Sequence, residues 1–164
     1  MLDLGHTMQM MRRLDRQQDE EFARRIIAES PYGVISMVDD QGLPYAIPIS
    51  HTLSGDTIFI HGAAEGTKLR ILEKHNRVVF TCIGRTHILP DQFSTEYESA
   101  IVQGLAKIVT DPIEKERGLL EIARKYSPGY AEEAKAYVDR ALEHTSLIAI
   151  TILSITGKAK LPKA

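Results

Sequence analysis

The turn chemistry between residues 33 and 63 constrains this chain more than any other feature. Three short β-rich runs follow one another there: GVISMVD from Gly33, LPYAIPISHTL from Leu43 and TIFIHGA from Thr57. DDQG (39–42) separates the first two, and Ser54-Gly55-Asp56 closes a hairpin between the second and third. RVVFTCIG (77–84), ESAIVQGLAKIVTD (98–111) and SLIAITILSIT (146–156) add a fourth, fifth and final strand. Strands joined by hairpins, with few helices between them, argue against a doubly wound parallel sheet. The expected fold is mostly β with α: a small six-stranded antiparallel β-barrel with helices packed outside, closed by the last strand.

Helical periods fill the remainder. Asp15, with Gln18 three residues on, reads as the start of a first helix, with Phe22, Ile26 and Ile27 on one face and Ser30-Pro31 at its end. TKLRILEKH (67–75) is a short helix. Leu119, Ile122, Ala123 and Tyr126 share a face on a helix opened by Asp111-Pro112. After the SPG break (127–129), Ala134, Tyr137, Val138 and Ala141 repeat the spacing. Pro48 inside the second strand requires a bulge or a sheet edge, and Gly104 inside the fifth suggests a bulge or a close backbone approach. RTHILPDQFST (85–95) has no clear period and reads as a long connection. Residues 1–14 read as an arm, 15–158 as one domain and 159–164 as a basic, fraying tail.

The 164 residues carry a net charge of −2, which gives no general reason to bind nucleic acid or an anionic membrane. Neither a membrane-length apolar run nor a signal-peptide core is visible, so a cytoplasmic location is expected. Cys82 is the only cysteine, which excludes an intrachain disulfide and a multi-cysteine metal site.

The stretch HGAAEGTK (61–68) joins the third strand to a helix. A helix N-terminus presents unpaired N–H groups and partial positive charge, which attract phosphate. Gly66 would allow close approach, Thr67 adds a hydroxyl and Lys68 a full charge. The alternative is an ordinary turn with Thr67 as N-cap and Lys68 solvated. His61 shares a strand face with Phe59 and Ala63, and reads either as a structural histidine or as the candidate catalytic group. His51 lies across the hairpin. A two-residue loop at Gly55-Asp56 sends it to the opposite face from His61; only a three-residue loop would bring the two imidazoles together. No third ligand follows, so no metal site is expected. The sequence has no nucleophile elbow, P-loop or zincin motif, which turns attention to a cofactor.

GLPYAIPISH, IFIHGAAEGTK, RVVFTC and YESAIVQGLAKIV, in that order, resemble the pyridoxamine 5′-phosphate oxidase-like family of FMN-binding split barrels. MRRLDR (11–16), His-Gly-Ala (61–63), Tyr-x-Ser-x-x-x-x-Gly (97–104) and Ile-Thr-Gly-Lys (155–158) are similar to its nitroimidazole-resistance (Nim) branch. The resemblance implies a homodimer with two FMN sites at the interface; the charge balance has already argued against a nucleic-acid or membrane partner. Thr67 and Lys68 would hold the FMN phosphate. Ile47, Pro48, Ile49 and Ser50, with Ile60, His61 and Gly62, would run beside the isoalloxazine ring, largely through backbone groups. Ser99 would reach the flavin of the other subunit, and His61 would stand near the substrate. The implied activity is FMN-dependent reduction of a small planar acceptor, such as a nitroaromatic of the 5-nitroimidazole type. The close of the chain at LPKA argues against oxidation of pyridoxamine phosphate. The alternatives are a non-catalytic flavin- or haem-binding sensor, with His61 as a haem ligand, and a bare interaction domain.

Overall fold

The computed structural model describes residues 11–162. Its strands are β1 (Gln17–Gln18), β2 (Gly33–Val38), β3 (Pro44–Ile49), β4 (His51–Ser54), β5 (Thr57–Ala63), β6 (Arg77–Leu89), β7 (Ser94–Ile108) and β8 (Thr145–Lys160). The helices are α1 (Glu20–Glu29), α2 (Thr67–Lys74), α3 (Pro112–Tyr126) and α4 (Ala131–Ala141). One antiparallel sheet runs in the order β3-β2-β6-β7-β8-β5-β4, with β1 added to β8. Its two end strands, β3 and β4, are consecutive along the chain and separated only by Ser50. The sheet therefore curls until its ends meet at a corner, and the corner residue is where the barrel splits.

The expected antiparallel split barrel stands, with eight strands rather than six. The run LPYAIPISHTL breaks at Ser50 into two strands, and Gln17–Gln18 forms another. Pro48 belongs to an edge strand in unbroken register with β2, so the ladder loses nothing to its missing N–H. The register shifts between Gln103 and Gly104, as a bulge at the glycine would require.

Residues 85–95 are mostly not a loop. They form the outer part of a β6–β7 hairpin whose tip is the short turn Pro90–Gln92. The first helix is capped by Asp19, whose carboxylate accepts the Phe22 N–H at 2.8 Å; Asp15 pairs with Arg13 instead. β8 continues to Lys160, past the expected start of the tail. The arm expected over 1–14 lies mostly outside the described residues.

Two apolar clusters hold the sheet. Ile35, Ile58, Ile60, Phe80, Val102, Ile148 and Ile150 fill the barrel, closed at its ends by Ile26 and Ile27 of α1 and by Leu69, Ile71 and Leu72 of α2. Phe59, Leu147 and Ala149, which alternate with barrel residues on β5 and β8, pack outward against Leu119, Ile122 and Val138 of α3 and α4. Both faces of these strands are therefore buried, which explains the unbroken apolar run of β8. Among the described residues, no helix is long and apolar enough to cross a membrane.

Candidate functional site

The site follows from the corner. β4 pairs with β5 as far as His51↔Ile60. At Ser50 the chain leaves β5 and turns to pair with β2. Beyond Ile60, β5 pairs only with β8. Among the described residues, the β5 edge at His61, Gly62 and Ala63 thus has no strand beside it on that side, nor does the outer edge of β3 at Ile47–Ile49. A fork opens between them, and a cavity of about 720 Å³ lies against it. Ser50 and His61 line one wall of that cavity; Ile122, Tyr126, Tyr130 and Tyr137 of the α3–α4 excursion line the other.

The hairpin loop has two residues, with Ser54 opposite Thr57 and Gly55 in the left-handed region at φ 57°. His51 and His61 therefore point to opposite faces. His51 is fully buried in the barrel, where its Nε2–H donates to Ile27 O at 2.7 Å. Burial, and then the nearby Lys125 ammonium, push its pKa down to about 4. No group of three metal-binding side chains occurs among the described residues. Cys82, beside His51, is a buried thiol pushed up to about 12 by desolvation, too high to act as a nucleophile.

The corner at 61–68 is built differently from an ordinary turn. Gly66, at φ 137°, is the N-cap of α2, a backbone conformation closed to residues with a side chain. Thr67 is the first helical residue, and its hydroxyl accepts from the Arg70 guanidinium at 3.0 Å. The first helical bond is Arg70 N–H to Gly66 O, which leaves the preceding amides unpaired within the helix. Lys68 is only partly solvated. It lies half-buried over Gly62, where any Cβ would collide with its ammonium. Burial lowers its pKa, and it has no carboxylate partner among the described residues. Ser146 braces the strand beneath by donating to Ala63 O at 2.8 Å.

His61 lines the cavity next to this charge. Burial, and then the Lys68 ammonium, hold its imidazole below the ordinary range, which favours the neutral ring. Its Nδ1 is buried without a hydrogen-bond partner. A helix N-terminus, a half-buried cation without a counter-ion, and an unpaired imidazole nitrogen all fit an anionic, hydrogen-bonding ligand lying along the fork.

The residues expected at the site divide into three groups. Ser50, His61, Gly62, Thr67 and Lys68 come together. Ile47, Ile49 and Ile60 turn their side chains to the barrel core, and Pro48 lies on the outer face, so only their backbone is available to a ligand. Ser99 stands apart. It pairs with Lys158, which is about 35 Å of extended strand from Leu147, the partner of His61. Its hydroxyl donates to Lys158 O at 3.3 Å. Arg70, Ser146 and Tyr126 have no signature in the sequence, because their roles arise from tertiary neighbours.

An antiparallel barrel split at a strand fork, with an α-helix opening at one lip, defines the class of split barrels. The flavocytochrome Anf3 of Azotobacter vinelandii superposes with TM-score 0.79 at 20% identity, over 93% of this chain and 73% of that one. The FAD and heme binding protein of Mycobacterium smegmatis gives 0.78 at 22%, over 91% and 76%. A structure described as a 5-nitroimidazole antibiotic resistance protein, from Bacteroides thetaiotaomicron, gives 0.73 at 24%, over 87% and 84%. At these identities the likeness shows the fold. The family model for pyridoxamine 5′-phosphate oxidase matches residues 19–159, and the chain belongs to that family. No curated protein matches the sequence.

Proposed function

We propose that the chain binds FMN along the fork and is an oxidoreductase toward a small planar acceptor, with a nitroaromatic as the leading class. The observation that carries this reading is Lys68, a half-buried ammonium without a carboxylate partner among the described residues, held over Gly62 at the N-terminus of α2. A charge kept out of water without a counter-ion is costly unless an anion completes the site. Thr67 and Lys68, with the free amides of α2, would hold the phosphate. The ring would lie along the backbone of Ile47–Ser50 and Ile60–Gly62, facing the cavity. When bound, the flavin supplies the electrons. His61 supplies a hydrogen bond, and negative charge arriving beside it would raise its pKa and allow it to hold a proton. The tyrosine-rich wall suits a flat aromatic acceptor. The likeness to the nitroimidazole resistance protein and to flavin-binding structures supports the same reading.

A homodimer belongs to this proposal. The outer sheet face carries an uncharged row from Pro48 through Val34, Thr81 and Ile101 to Thr156, and the adjoining row from Ala46 to Ser154 is also uncharged. Two adjoining uncharged rows across five strands, bounded by Arg77 and Lys158, are unusual for a free surface and suit a two-fold interface. Ser99 lies on that face, where it would reach a partner's flavin but not its own.

The absorbance spectrum of the purified protein tests the cofactor. Flavin bands that survive gel filtration are expected. A Soret band would move the reading to haem, with His61 as a ligand, and a featureless spectrum that does not respond to added FMN would overturn it. Transfer of electrons from a reduced nicotinamide to a nitroaromatic then separates an enzyme from a binding protein.

A further inference from the structure

We infer that Tyr126 is a positioning residue of the fork, its hydroxyl standing where a strand would otherwise pair with His51. β4 is an edge strand, and at its first residue the chain has just left β3. In a ladder, a neighbouring residue would take both the N–H and the C=O of His51. Here one phenol oxygen faces both. It accepts the His51 N–H at 2.9 Å and lies 3.0 Å from His51 O. Its single hydrogen goes to the nearer acceptor, Pro31 O at 2.6 Å. Three separate segments thus meet at one atom: the end of α3, the chain after α1, and the start of β4.

The placement matters because of what lies on either side. The Tyr126 ring lines the cavity, and so does Ser50, the residue before the one its hydroxyl grips. His61, one step beyond the last β4–β5 pair, faces the same space. The His51 side chain is anchored separately, to Ile27 O and edge-on to Phe80 at 4.9 Å. The fork cannot move at Ser50 without breaking the Tyr126 bridge, so the hydroxyl fixes the width of the opening. Lys125, the preceding residue, ties the same helix end to Ser30 O at 2.8 Å and reaches Ile27 O at 3.5 Å, but it neither bonds the His51 backbone nor lines the cavity. It is the natural control.

The ligand readout rests on the FMN reading; the fork readout does not. Tyr126→Phe keeps the ring and removes only the bridge. It should speed hydrogen exchange of the His51 amide at least about tenfold, because local opening no longer breaks that bond. It should also raise the dissociation constant for FMN, titrated onto flavin-free full-length protein, by about tenfold, the effect of losing one well-made hydrogen bond. Lys125→Met should lower the melting temperature yet leave both quantities unchanged. Unaltered His51 protection in Tyr126→Phe, or an equal loss of FMN affinity in Lys125→Met, would reduce Tyr126 to a brace. If the parent itself takes no FMN, the cofactor reading fails alone, and the exchange data still decide the role of Tyr126.

Discussion

Two histidines on one hairpin show how the same residue types serve opposite ends. His51 and His61 each stand near a half-buried lysine, Lys125 and Lys68, and burial followed by that lysine lowers the pKa of each imidazole. At His51 the network is closed except at Nδ1, which is buried without a partner. Its Nε2–H bonds Ile27 O, and Lys125 donates to Ser30 O. At His61 it is open because Lys68 has no carboxylate among the described residues; the unpaired Nδ1 is common to both rings, so the contrast rests on the lysines. The pleat decides which is which, since neighbouring ladder positions face opposite sides of the sheet. In the proposed reading, the anion is what completes the open set.

The largest difference should appear in stability. His51→Ala removes a packed ring and leaves Ile27 O with only a long contact, so it should cost about 3–4 kcal/mol in urea unfolding. His61→Ala, at a cavity wall, should cost well under half of that. Equal losses would erase the distinction.

Acid should sharpen it. The folded pKa of His51 is about 4, below its ordinary 6.5. Between those values the unfolded chain binds a proton that the folded chain refuses, so stability must fall as pH falls from 6.5 toward 4. The loss should approach about 3 kcal/mol. It should be absent from His51→Leu, provided that variant folds. His61 contributes in the same direction in the free protein. A bound anion would raise its pKa and reverse the sign there, so the ligand-loaded protein should lose less stability in acid.

If His61 holds the proton delivered to a reduced acceptor, His61→Ala should retain FMN and slow acceptor reduction about 10²-fold in stopped-flow oxidation of the pre-reduced protein. An unchanged rate at full occupancy would remove His61 from the chemistry.

Much of this contrast could be read from the residues, and some could not. The barrel was legible because hairpin turns and alternating strands carry strong local signals. The choice between a two- and a three-residue loop, on which the two histidine faces depend, was not fixed by the string SGD. The outer β6–β7 hairpin went unread because both of its faces are largely exposed, so RTHILPDQFST has no apolar alternation to detect. The corner at Ser50 is invisible in LPYAIPISHTL because it arises from the curl of the whole sheet. Thr67, Lys68 and His61 stand out as candidates through their chemistry at a strand–helix junction. Tyr126 counted only as one more apolar helical position, since its hydroxyl partners lie 75 and 95 residues away in sequence.

The open network makes one direct claim: Lys68 is there to meet an anion. FMN titrated onto the flavin-free parent and onto Lys68→Ala measures this. The variant should bind about 1.5–3 kcal/mol more weakly, the worth of a hydrogen bond to a charged group. The gap should narrow as salt rises. Equal affinity across the dilution series would show that the corner is a turn and that its charge serves some other purpose.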